Sequence, residues 1–322
     1  MKNIVLIIAG LLAGAMAAQP AEYNELTALA WAHYEAQDYA LAAETYEKAF
    51  AAFDDKGYVN DRYNAACSWA LAGNPDAAFR NLKRIAVKGG YSDLSHMLAD
   101  TDLKSLHGDK RWEELVETVR KNKEEQEKDY DIELVGLLDS IYETDQKYRR
   151  EASAMSEEYG WDAPEMQEIL DKMAKQDSRN LIAVTAILDE RGWLGADVIG
   201  DKGNATLFLV IQHADLETQL KYLPMMQKAV EKGNARASSL ALLEDRINLR
   251  QGKRQIYGSQ IGTDPESGEY YVLPLENPDK VDERRAEVGL GPLAEYTRRF
   301  GFEWNPEEYQ KKLPHYLELQ KQ

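Results

Sequence analysis

Cysteine is nearly absent. Cys67 is the only one in 322 residues, so no disulfide can form within the chain and packed cores must hold the fold. Cys67 lies in a helical, apolar context with no base nearby in sequence. That context suits a small buried hydrophobe better than a catalytic thiol. Positive charge is in deficit: 39 basic residues face 56 acidic ones, a formal net charge of −17. Such a chain repels phosphate backbones and anionic membrane surfaces, so neither nucleic acid nor a lipid headgroup layer is an expected partner. Histidines number 5, and no two stand at a metal-binding spacing. The chain also lacks a nucleophile elbow, a phosphate loop and a paired-carboxylate signature. No metal or cofactor is expected.

Long apolar runs are missing too, with one exception. Lys2 precedes an apolar and small-residue run, Ile4 to Ala18, and Ala15-Met16-Ala17 fits the small-x-small cleavage rule. This is the pattern of a secretory signal peptide, residues 1–18, too short to serve comfortably as a membrane span. The expectation is an exported protein, periplasmic or secreted, with no span after cleavage.

Hydrophobic residues make up 44% of the chain, enough for ordinary globular cores, and the length suits two domains. Between Glu22 and Gly89 a small/large pattern recurs. Ala30, His33, Tyr39, Ala42, Tyr46 and Ala49 are followed, 36 residues on, by Ala66, Trp69, Ala78, Leu82 and Ile85. Small residues let paired helices approach and large ones fill the gaps between them. The loop at Asp54 to Gly57 takes up the extra length, and Gly73-Asn74-Pro75-Asp76 starts the next helix. The segment resembles tetratricopeptide repeats, which implies a protein or peptide partner. Helix starts at Asp93-Leu94 and Asp102-Leu103, and a stripe of Trp112, Leu115, Val116 and Val119, read as a cap on the pair. The repeat domain is placed at 19–125, and the charged run Arg120 to Asp131 reads as a helical connection.

The second domain, 126–300, reads as helical. Its stripes are Ile132 to Ile141, extended by Tyr142 and Tyr148, and then Ile169 to Ile187. Helices are also expected at 205–211, 216–232 and 237–251, with a loop at Gly200 to Asn204 and a break at Trp161-Asp162. The period then changes. Arg254 to Ile261 and Tyr270 to Leu275 flank a Gly- and Pro-containing turn, which predicts a β-hairpin. Residues 301–322 are expected to be a mobile tail. The fold class is therefore mainly α: an N-terminal α-α superhelical repeat domain plus a helical C-terminal domain carrying a β-hairpin.

Polar residues that a helical core does not need concentrate between Gln212 and Gln260: His213, Asp215, Asp245, Arg246, Gln255, Tyr257 and Gln260. His213-x-Asp215 can orient an imidazole as a base, or Asp215 can simply cap the helix at Leu216. One of Asp245 and Arg246 must face inward. Strand alternation would put Gln255 and Tyr257 on one face. The motifs QHAD, LEDRI and QIYGSQ, with the trailing PLENPDKVDERRAEVGLGPLAEY, resemble the domain of unknown function 6624 family, across Tyr130 to Phe300. Leu194 and Ser259 stand where that family has Pro and Thr. The resemblance implies a shared site or a shared structural lock and no particular activity. Three roles follow for the cluster: a polar ligand cleft, a hydrolase site with His213 as base, Asp215 as its orienter and Tyr257 or Arg246 stabilising charge, or a network pinning the hairpin to the helices.

Overall fold

The computed structural model describes residues 21–160 and 163–320. The signal-peptide run and the break at Trp161-Asp162 lie outside the described residues. The chain forms two compact units, 1–128 and 129–322, so the boundary falls three residues beyond the one expected at 125. It is mainly helical, with one small antiparallel sheet.

In the first unit α1 (Ala21–Glu35) packs on α2 (Tyr39–Ala52), α2 on α3 (Val59–Leu71) and α3 on α4 (Pro75–Lys88). Ala30, Ala42, Ala49, Ala66 and Ala78 are all buried, as close helix approach requires, and Tyr46, Leu82 and Ile85 fill the space between. Asp54 and Asp55 both adopt positive φ in the intervening loop. There the Asp55 carboxylate meets Arg62 and Arg84. Asn74 caps α4 through the Ala77 N–H, with Pro75 in the first turn. Asp93 and Asp109 likewise cap α5 (Leu94–Ala99) and α6 (Lys110–Glu127), and Asp100 caps the 3-10 turn at Thr101–Leu106. Met97, Leu103, Leu106, Trp112, Leu115 and Val119 close the core over α3 and α4.

The second unit opens on α7 (Ile132–Tyr159), which packs against α8 (Met166–Arg191) and α9 (Ala196–His213). Its buried stripe is Leu134, Leu138, Ile141, Asp145 and Ala152, while Ile132 and Leu137 are exposed. Gly192 ends α8 at φ 73°. The loop expected at Gly200 to Asn204 is instead helical, with a kink at Gly200, where φ is 69°. The positive φ there is what favours glycine; a side chain at this position would only reach ordinary contact with the Tyr130 ring. The run Ala205 to Ile211 is a buried part of α9. It is followed by α10 (Leu216–Glu231), which passes through Pro224, and α11 (Ala237–Arg250).

The hairpin is present but shorter than expected. Strands β1 (Ile261–Thr263) and β2 (Tyr270–Val272) pair antiparallel, Gly262 opposite Tyr271. Residues 254–260 are not a strand; they form a compact loop, for a reason given below. Next come a 3-10 turn at Pro278–Lys280, α12 (Val281–Glu287), α13 (Leu293–Arg298) and α14 (Pro306–Leu319). The expected mobile tail is thus a correction. Asn305 caps α14, and Tyr309 and Tyr316 bury into a core shared with Tyr271, Val272 and Leu275 of the hairpin.

Candidate functional site

The polar cluster divides into a buried lock and an open cleft. At the centre of the lock Asp245 is fully buried in α11. Its carboxylate accepts the backbone N–H groups of Ile256 (2.6 Å), Tyr257 (3.0 Å) and Ser259 (3.0 Å). One side chain therefore satisfies three amides that a ladder would otherwise use, and the segment curls instead of extending. Burial raises the Asp245 carboxyl above the ordinary range, against the pull of the three donors. Gln255, also fully buried, crosses the same loop. Its amide oxygen accepts from the Gln260 N–H at 2.9 Å, and its amide nitrogen donates to the carbonyls of Gln260 (3.0 Å) and Leu273 (2.7 Å). Gly258 turns the loop at φ 68°, against the methyl groups of Leu293. Arg285 donates to the Tyr257 carbonyl at 2.8 Å and ties α12 to the loop.

The lock holds one wall of a cleft of about 320 Å³, lined by Gln212, His213, Arg246, Ser259, Gln260 and Tyr296, with apolar surface from Phe208, Leu209, Leu242, Ile261 and Phe300. Arg246 is its main charge. Its Nε donates to Gln260 Oε1 at 3.1 Å and one terminal nitrogen to the Gln212 carbonyl at 3.3 Å. No carboxylate lies within ion-pair distance of it among the described residues. Burial, with Arg250 and Arg149 nearby, lowers its affinity for its own proton. A half-buried guanidinium beside other cations and without a carboxylate partner of its own attracts anions by Coulomb's law.

His213, at the end of α9, does not use Asp215. Its Nδ1 is 3.2 Å from the carboxylate of Asp145 in α7, which is only 2% exposed. Arg149 reaches the same carboxylate oxygen at 3.2 Å and makes a bidentate pair with Asp177 in α8, at 2.9 and 2.8 Å. Gln146 donates to the other Asp145 oxygen at 2.7 Å. Burial disfavours ionised Asp145, but His213, Arg149 and Gln146 outweigh it and hold its carboxyl below the ordinary range. An aspartate on Nδ1 fixes the ring and presents Nε2 as the other functional atom.

Of the residues singled out in sequence, His213, Arg246 and Gln260 line the cleft, and Asp245 and Gln255 support it from below. Asp215 is exposed and accepts from the Thr218 N–H at 2.8 Å as the cap of α10, outside the cleft. Tyr257 does not line it either; its phenol, raised by burial, has acidic neighbours Glu244, Asp245 and Glu287. The expected shared face of Gln255 and Tyr257 fails because the segment is not a strand. Asp145, Arg149, Asp177, Ser259 and Tyr296 were not anticipated. Asp145 had a signal: it continues the stripe of Leu134, Leu138 and Ile141, a charge in line with apolar positions. Elsewhere, donor atoms of Cys67, Asp100 and Asp102 converge in the first unit. Burial pushes the Cys67 thiol up and keeps it protonated, and Tyr63 and Tyr34 hydroxyls already donate to Asp100 and Asp102. That arrangement suits packing better than metal binding.

Comparison with curated proteins gives no match, and neither does comparison with solved structures. A family model does match, over residues 131–304, which holds the whole lock and the whole cleft. The chain belongs to DUF6624, a family of unknown function.

Proposed function

We propose that this is an exported binding protein whose second unit captures a small ligand carrying a carboxylate or phosphate, while the repeat-like helices of the first unit engage a protein or peptide. The observation that carries the ligand reading is Arg246, half-buried, without an acid partner among the described residues, and facing an open cleft. The partner reading rests on apolar side chains left exposed on the first pair of helices, Leu29, Trp31 and Leu41.

The test is a thermal-shift panel on the full mature chain, with carboxylates and phosphate esters set against neutral analogues. Anions are expected to raise the melting temperature and neutral analogues to leave it unchanged, with the shift lost in Arg246→Gln. A panel with no stabilising anion contradicts the proposal. The Asp145–His213 pair supports a second reading, in which His213 also moves a proton on the bound ligand. On that reading His213→Gln keeps anion binding and abolishes any turnover of a processed ligand.

A further inference from the structure

A second cavity of the second unit lies elsewhere. It is about 800 Å³, between the hairpin, the turn at 300–305 and α14. Its walls are aromatic to an unusual degree. Tyr271 and Tyr316 stack at 4.2 Å between centroids and are buried beneath it. Above them Tyr270 is half exposed, and Phe300, Phe302 and Trp304 are half-buried along the same cavity. Folding normally removes such rings from water, so four accessible rings around one hollow need an occupant.

The polar groups decide what kind. At the rim Asp264 pairs with His315 at 2.8 Å and Glu269 with Lys312 at 4.0 Å, while Lys311, Glu303 and Glu308 line the same cavity. Charges of both signs are thus interleaved and largely paired. An anion would meet four carboxylates, and a cation would meet two lysines. Among the described residues the hydroxyls of Tyr270, Tyr271 and Tyr316 have no hydrogen-bond partner. The cavity therefore offers flat π-faces together with many donors and acceptors and no dominant charge. A pyranose ring has the complementary surface: one face of C–H groups that stacks on an aromatic ring, and an edge of hydroxyls that both donate and accept. We propose that this cavity is a binding site for a neutral oligosaccharide, with Trp304 and Tyr270 as stacking platforms. It shares only Phe300 with the Arg246 cleft and does not depend on that reading.

Isothermal titration of the full mature chain with cellotetraose, maltotetraose and chitotetraose tests it. At least one is expected to bind with a Kd on the order of 100 µM, a shallow-site affinity. Tyr270→Ala, at a half-exposed position that leaves the fold intact, is expected to weaken binding about tenfold, the loss of a ring contact of about 1.4 kcal/mol. Trp304→Phe keeps a ring in the core and is expected to weaken it by a smaller factor, and Arg246→Gln to leave it unchanged. Absence of binding by all three sugars overturns the proposal. So does binding that survives Tyr270→Ala and Trp304→Phe together, or that is lost only in Arg246→Gln.

Discussion

Two neighbouring residues of α11 have opposite fates. Asp245 is enclosed and fully hydrogen-bonded by backbone amides, so it is structural; Arg246 faces a cleft without an acid, so it is available. Replacing Asp245 by Ala orphans three buried N–H groups, and a stability loss of about 3 kcal/mol is expected in denaturant unfolding. Asp145 gives a pH-dependent prediction. Its folded carboxyl titrates below the ordinary range, so on acidification the unfolded chain takes up the proton first. Its contribution is therefore complete above the ordinary carboxylate value and is lost as pH falls through the lower folded one. Asp145→Asn is expected to cost about 3 kcal/mol at neutral pH, as for a broken buried pair, and to flatten the acid limb of stability against pH. An acid limb unchanged from wild type would show that Asp145 is not the titrating group.

Helices were legible from their periodicity and caps, because both are local. The starts at Leu94, Lys110 and Leu216 and the glycine stop at Gly192 all follow from residues within one turn. What sequence reading missed was set by distant partners. The segment at 254–260 has strand-like composition, yet Asp245, ten or more positions earlier, takes its amides and bends it. His213 pairs with Asp145, 68 residues away, in preference to the adjacent Asp215. In α14 the Asn305-Pro306 start is local, but its docking is not: the Tyr309 hydroxyl links it to the hairpin, accepting from the Leu275 N–H at 2.7 Å and donating to the Leu273 carbonyl at 3.1 Å. Tyr309→Phe is expected to destabilise the second unit by about 1–3 kcal/mol, since it leaves a buried N–H unpaired. Gly258→Ala is expected to cost about 1–2 kcal/mol, because the loop needs φ > 0 and the new methyl would press on Leu293.

Across the molecule the two units hold separate cores, one built on helix pairs with alanine at the contacts, the other on α7 to α11 plus the aromatic core of hairpin and α14. Residues 129–322 are therefore expected to unfold cooperatively as an isolated chain and to keep anion binding; a chain that is molten on its own would contradict this. The net charge of −17 repels anions at long range, so the cleft gathers its cations locally from Arg246, with Arg149 and Arg250 nearby. The central claim is that this cleft is a site, while the loop beneath it is a lock. The most direct test needs no ligand: the unfolding free energy of Arg246→Met against wild type at neutral pH. A half-buried charge held for binding without an acid partner costs the fold, so stability unchanged or increased is predicted. A loss on the order of 1–3 kcal/mol would place Arg246 in the lock and contradict the account.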